Sequence, residues 1–147
     1  MKSKLTILMP VYEINQFLSI AIDSLKKQTF KDYVCNILTP NLSDDDTAKL
    51  QYLISKDSRF SIHKLSLGGI AFALNYGLNI TKSKYLARMD ADDISHSSRL
   101  EKQIDFLDKN PDYVVVGCRV QLVNSKGHST NNDFKFFEND REIRKAL

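Results

Sequence analysis

Short apolar runs alternate with segments of helical periodicity along residues 1–118. The runs are rich in Val, Ile, Leu and Tyr, as is typical of buried β-strands, and they cover residues 5–9, 33–38, 60–65, 84–90 and 113–118. Between them, apolar residues recur at helical spacing around Phe17 to Leu25, Leu50 to Ile54, Ile70 to Leu78 and Arg99 to Leu107. This alternation predicts an α/β fold with a mostly parallel sheet that helices cover on both faces.

Turn and cap residues mark the ends of these elements. Pro10 and Pro40 each end a predicted strand, and Ser43 with the acidic residues 44–46 opens a helix. Residues 124–133 are polar and predict a loop, whereas residues 140–147 have helical character without a following Gly, Asn or Pro. We therefore expect a single domain over residues 1–147 that is truncated before a further part.

Composition and charge narrow the functional classes. A net charge of +3 on 147 residues, without a basic stripe interleaved with aromatic residues, argues against nucleic-acid binding. The first apolar run is too short to span a membrane and has no small-residue cleavage site, which favours a cytoplasmic protein. Peripheral contact with the inner face of the plasma membrane stays open.

Cysteine and histidine are placed unfavourably for a metal site. Cys35 and Cys118 lie inside apolar runs and are expected to be buried, reduced thiols. His63, His96 and His128 are scattered, so no Cys/His pair has the spacing of zinc ligands.

Three carboxylates follow the fourth predicted strand, in the run Met89-Asp90-Ala91-Asp92-Asp93. If strand geometry continues through this run, Arg88, Asp90 and Asp92 share one face of the strand. Neighbouring carboxylates repel, and a shared Mg²⁺ or Mn²⁺ that also binds substrate phosphates would keep them ionised. The alternative is an acidic loop in which Asp92 or Asp93 caps a helix.

The acidic run belongs to the last of four stretches that follow one another along the chain: residues 6–12 (TILMPVY), 21–29 (AIDSLKKQT), 69–78 (GIAFALNYGL) and 85–95 (YLARMDADDIS). Together they resemble the motifs of family 2 glycosyltransferases, in particular a bacterial subgroup that makes polysaccharides and O-antigens. The resemblance implies the GT-A fold and inverting transfer of a hexosyl or N-acetylhexosaminyl group. It also implies a nucleotide-sugar donor, usually linked to uridine diphosphate (UDP), a glycan or lipid-linked acceptor, and Mn²⁺ or Mg²⁺.

The resemblance assigns the nucleoside end of the donor to residues after the first two strands. Pro10, Val11, Tyr12 and Glu13 would line the uracil and ribose pocket, although Tyr12 could instead be a packing aromatic and Glu13 stands where relatives often have Asn. Many relatives carry an acidic run after the second strand. Here Asn41 takes that place and would contact uracil through its amide.

The same resemblance assigns the diphosphate end of the donor to the acidic run. Asp90 would approach the ribose or donor sugar and, with Asp92, bind the metal, while Ala91 would lie beside the donor. Asp93 would hold the loop. Arg88 would reach the donor or pair with an acidic side chain, and a solvent-facing arginine is the equal alternative.

A catalytic base is missing from these assignments. Inverting transfer needs a carboxylate that takes the acceptor's proton, and in relatives it follows the metal motif at a distance that puts it beyond Leu147. Glu138, Asp140 and Glu142 are acidic but precede that segment. Two other functions stay open: a non-catalytic nucleotide-sugar-binding or assembly module, and a nucleotidyltransferase, although the latter lacks its Gly-rich basic loop after the first strand.

Overall fold

A computed structural model describes residues 3–124, 127–130, 139, 141 and 142 of the chain. The chain divides into two compact units, Met1–Asp112 and Tyr113–Leu147. Each unit is described by itself below.

The first unit is a parallel sheet with helices between its strands. Its elements are β1 (Leu5–Pro10), α1 (Leu18–Lys26), β2 (Tyr33–Pro40), α2 (Asp44–Ile54), β3 (Phe60–Leu65), α3 (Ile70–Ile80), β4 (Tyr85–Arg88) and α4 (Arg99–Lys109). The four strands are parallel in the order β3-β2-β1-β4, with Ile7 aligned to Cys35 on one side and to Ala87 on the other. The predicted α/β fold class is confirmed, as are four of the predicted strands and all four helices between residues 17 and 109.

The start of α2 follows from its first residues. Ser43 is the N-cap and accepts a hydrogen bond from the Asp46 amide at 3.1 Å. Asp44, Asp45 and Asp46 occupy the first turn, where their charges oppose the positive end of the helix dipole. Helix capping and dipole effects therefore account for this acidic group within the fold.

One face of the sheet, here called face A, carries the larger core. Alternate strand residues such as Ile7, Cys35 and Phe60 point into it, and α1, α2 and α4 cover it with Ile22, Leu50 and Ile104 among others. Strict alternation along the strands brings these apolar residues to one side.

The opposite face, face B, holds a smaller cluster made of Leu8, Leu38, Leu65 and Ala73. Helix α3 packs there closely, because a Cβ on Gly77 would lie only 2.8 Å from a Leu8 methyl and 2.9 Å from a Leu38 methyl. Toward the amino ends of the strands, face B is an open groove of about 370 Å³, whose lining is mostly polar: Ser3, Thr6, Val34, Asn36, Ser61, His63, Ile80, Lys82 and Ser83.

The second unit does not contain the predicted fifth strand. Residues 113–118 form no strand, and Val114 and Val115 are 90% and 80% exposed. β-Propensity largely reflects packing against neighbouring strands, and Val114 and Val115 are exposed instead of packed in this way. The prediction that Cys118 is buried is likewise wrong, since its thiol is exposed, whereas the prediction for Cys35 is confirmed.

The polar loop contains a tight turn. Val123 and Ser129 form an antiparallel bridge, and Asn124 accepts a hydrogen bond from the His128 amide at 3.0 Å through its side chain. Residues 125, 126 and 131–133 of the predicted loop lie outside the described residues. So do residues 140 and 143–147 of the predicted last helix, while Arg141 and Glu142 are helical. None of the helices in the described ranges is long and apolar enough to cross a bilayer.

Candidate functional site

The segments that follow the four parallel strands meet at one edge of the sheet. Backbone hydrogen bonds beyond the strand ends hold them together: Val11 donates to Leu38 O at 2.8 Å, Asn41 to Leu65 O at 3.4 Å, and Met89 to Leu8 O at 3.0 Å. This carboxyl edge is where ligands bind in open parallel sheets. The structure thus brings together the loops that carry the candidate site residues.

The segment after β1 divides into a buried and an exposed half. Pro10 and Val11 are buried, and Val11 belongs to the core of face A. Tyr12 is 44% exposed, and the exposed Glu13 accepts a hydrogen bond from the Asn15 side chain at 3.3 Å. Tyr12 and Glu13 therefore offer side chains to a ligand, whereas Pro10 and Val11 lie beneath the surface.

Asn41 sits at the end of β2 in a left-handed conformation, with φ of 60°. Asparagine tolerates this conformation better than most residues. Its side chain is exposed and lies against Gly68, where an added Cβ would come within 3.2 Å of Asn41 Nδ2. The Asn41 side chain therefore lies beside the loop after β3 and is exposed at the carboxyl edge.

Arg88 forms a forked ion pair with Asp90. Arg88 Nε lies 2.9 Å from Asp90 Oδ1, and a second guanidinium nitrogen donates to Asp90 Oδ2 at 3.0 Å. Both side chains are about half exposed. Of the alternatives for Arg88, the structure therefore has the pairing with an acidic side chain, and it puts Arg88 and Asp90 on the same side of the strand.

Strand geometry ends before Asp92. β4 stops at Arg88, residues 91 and 92 form a turn, and the Asp93 amide donates to Asp90 O at 3.4 Å. The expectation that Asp90 and Asp92 share a strand face is therefore wrong, because the turn replaces the strand's alternation. Ala91 packs partly against the core, and Asp92 is exposed.

The third carboxylate, Asp93, is partly desolvated and lies near two other negative charges. Loss of solvation raises the pKa of Asp93, and the charges of Asp90 and Asp92 raise it further. Within the described residues, no three His, Cys, Asp or Glu side chains form a group that could hold a metal ion by themselves. Mg²⁺ and Mn²⁺ commonly use only one or two carboxylates and take further oxygens from substrate phosphates. The carboxylates of Asp92 and Asp90 fit a cation of that kind.

Comparison with known proteins identifies the family. The sequence profile of glycosyl transferase family 2 matches residues 6–146, nearly the whole chain. The chain belongs to glycosyl transferase family 2. This family favours glycosyl transfer over the nucleotidyltransferase alternative.

Curated relatives of this family 2 chain are longer than the chain itself. It is 35% identical over 124 residues to the O-antigen biosynthesis glycosyltransferase WbnJ of Escherichia coli, a match that covers 84% of this chain and 48% of WbnJ. The chain thus spans about half the length of that relative.

Solved structures share the fold of the chain. Staphylococcus aureus TarS 1-349 in complex with UDP-GlcNAc has a TM-score of 0.65 at 20% identity, over 74% of this chain and 32% of TarS. The mannosyltransferase PcManGT from Pyrobaculum calidifontis, in complex with GDP-Man and Mn²⁺, has a TM-score of 0.64 at 15% identity, over 71% and 32% of the two chains. At these identities the likeness establishes the GT-A fold.

Behind the acidic turn lies a buried polar group that the sequence analysis did not single out. Ser24, Gln28 and Ser95 are buried and hydrogen-bonded to one another. Polar residues among apolar helix positions, as at Ser24 and Gln28, were the available signal, but their partner at Ser95 is more than 60 residues away in sequence.

Proposed function

We propose that this chain forms the donor-binding part of an inverting glycosyltransferase that takes a UDP-sugar with a divalent cation. The observation that carries the proposal is the acidic turn at the carboxyl edge, next to the exposed Tyr12, Glu13 and Asn41, in a member of family 2. The TarS complex with UDP-GlcNAc and the PcManGT complex with GDP-Man and Mn²⁺ support this kind of ligand on this fold.

In this proposal the residues at the edge divide the donor between them. Tyr12, Glu13 and the amide of Asn41 receive uracil and ribose, and Pro10 and Val11 support the floor of the site from beneath. Asp92 holds the cation, and Asp90 contributes a second oxygen or contacts the ribose. A bound cation would neutralise the negative charge that develops on the leaving diphosphate.

Arg88 competes with a cation for the carboxylate of Asp90. Its guanidinium shares both Asp90 oxygens, so Asp92 is the more available of the two for the cation. When a donor diphosphate arrives, Arg88 can exchange part of this pairing for phosphate oxygens, because guanidinium binds both groups in the same forked geometry.

Sugar transfer itself requires groups that we do not assign to this chain. We propose that the catalytic carboxylate and the binding site for a glycan or lipid-linked acceptor belong to sequence that the longer relatives possess. A cytoplasmic location with peripheral contact at the inner membrane face belongs to the same proposal. On this basis we expect the 147-residue chain to bind donor without efficient turnover, and measured turnover of a UDP-sugar by this chain alone would contradict that part.

Calorimetric titration with UDP, with and without Mn²⁺, tests donor and cation binding together. We expect Mn²⁺ to tighten UDP binding to the wild-type chain. Asp92→Asn should reduce this Mn²⁺-dependent tightening by about 10-fold or more and should keep its folded structure. The matched control is Asp105→Asn, because Asp105 is an exposed aspartate on α4 that pairs with Lys109. Equal binding with and without Mn²⁺ in the wild-type chain would overturn the proposed cation site.

A further inference from the structure

The acidic turn is a short loop between two buried anchors. On its amino side, Met89 is 2% exposed and its amide donates to Leu8 O at 3.0 Å. On its carboxyl side, Ser95 is 7% exposed. Between the anchors, Asp92 and Ile94 are exposed. The position of the carboxylates therefore depends on how firmly both ends are held.

Gln28 holds the second anchor. It follows α1, is fully buried, and directs its side-chain Nε2 at Ser95 Oγ (3.0 Å) and His96 O (2.8 Å), with Ser95 O and Ser24 O at 3.5 and 3.3 Å. Its Oε1 accepts from the Leu100 amide at 3.1 Å, in the first turn of α4. One carboxamide thus ties α1, the residues after the acidic turn and the start of α4.

Ser24 completes this anchor from one turn earlier in α1. Its Oγ accepts from the Ser95 amide at 3.0 Å and donates to Ala21 O at 2.7 Å. Since the oxygen uses both its hydrogen and a lone pair, its direction is fixed by two partners. Buried polar groups that satisfy one another specify a single arrangement, and removing one member leaves the others unsatisfied.

We propose that Gln28 is a positioning residue for donor and cation binding, and that it acts by fixing the end of the acidic turn that carries Asp92. This inference rests on the proposed function. Gln28 contacts no ligand itself. It reaches the site through Ser95 and His96, three and four residues after Asp92, in the way that outer partners orient metal ligands.

A merely structural role would lower stability without changing what the folded protein binds. The deciding quantity is therefore the gain, defined as the ratio of the UDP dissociation constants without and with Mn²⁺, measured on folded protein. Free Mn²⁺, followed by its electron paramagnetic resonance signal during titration with protein and UDP, gives a second readout of the same site.

Gln28→Met keeps the length of the side chain and removes its hydrogen bonds. We expect it to reduce the gain by about 10-fold to 100-fold, and Ser24→Ala, which removes one bond to Ser95, to reduce it less. The matched control is Tyr33→Phe. That substitution removes a buried hydrogen bond of 2.8 Å to Leu25 O in the same helix and leaves the Ser95 anchor intact, so the gain should equal that of the wild type.

The inference is overturned if Gln28→Met folds and keeps the wild-type gain. If Gln28→Met does not fold, a wild-type gain in Ser24→Ala overturns it. It is also overturned if Tyr33→Phe loses as much gain as Gln28→Met. The proposed function fails differently, since the wild-type chain itself would then have no gain.

Discussion

The two faces of the sheet are built from the same four strands but differ in what covers them. Face A is buried under α1, α2 and α4, and its strand residues include Leu5, Ile7 and Tyr33 at 1% exposure or less. Face B is covered by α3 over Leu8 and Leu38, and beyond them it opens into the polar groove.

The two faces of this sheet are therefore unequally buried, although parallel sheets are typically buried on both faces. β3 makes the point most directly, since Phe60 is buried on face A while Ser61 is exposed on face B. Face A therefore contributes most of the hydrophobic stability of the first unit. Face B contributes less, and it does so through a single close helix contact.

The largest effect should come from truncating a face A residue. Ile7→Ala should lower the free energy of unfolding by about 2–5 kcal/mol, because Ile7 is fully buried and its loss leaves a cavity. The control is Leu86→Ala on face B of the neighbouring strand, where Leu86 is 42% exposed and the cost should be about 1 kcal/mol or less. Urea unfolding measures both, and equal costs would contradict the comparison of the faces.

A smaller effect should come from filling the contact of α3 with face B. Gly77→Ala gains about 1 kcal/mol of helix propensity, but its new Cβ would overlap methyl groups of Leu8 and Leu38. Overpacking of this kind costs about 1–3 kcal/mol, so we expect net destabilisation or near neutrality in urea unfolding.

A double mutant separates those two contributions. In a Leu8→Ala background the overlap with the Leu8 methyls is removed and the overlap with the Leu38 methyl stays, so Gly77→Ala should cost less there than in the wild type. If Gly77→Ala costs the same in both backgrounds, the close packing of α3 on Leu8 is not what limits this position.

The smallest effect should appear in the polar groove of face B as a dependence on pH. Partial burial lowers the pKa of His63 from its ordinary value of 6.5, and its ring lies 3.1 Å from Ser61 Oγ and beside Tyr76. The unfolded chain therefore binds this proton more readily than the folded protein does. As a result, the free energy of unfolding is not reduced by His63 above pH 6.5, and it decreases as the pH falls below that value.

His63→Gln removes that titration. Urea unfolding of the variant at pH 7.5 and 5.5 should give a smaller difference between the two conditions than the wild type gives. An unchanged difference would mean that His63 is as well solvated in the folded protein as in the unfolded one.

The sequence predicted most of face A and the carboxyl edge for a physical reason. Strands β1 to β4 carry period-two or continuous apolar runs that end at Pro, Gly or acidic residues, and both signals are local. Parallel strands then bring their following loops to one edge, so the gathering of Tyr12, Asn41 and the acidic turn could be expected before the structure was known.

What escaped prediction depends on distant partners. Residues 113–118 have the composition of a strand, yet a strand needs a neighbour to pair with, which local composition does not supply. The anchor between Gln28 and Ser95 joins residues 67 positions apart. The turn at residues 91 and 92 replaced the extended backbone assumed from β4, which removed Asp92 from the strand face.

The contrast between the two thiols has a practical consequence. Burial raises the pKa of Cys35 far above its ordinary value, so almost none of it is thiolate at neutral pH, while Cys118 is exposed. A maleimide dye applied to the native protein is therefore directed to one position without any engineering. Because the chain has no tryptophan, a fluorophore at Cys118 would supply a local reporter on the surroundings of residues 113–123 in solution.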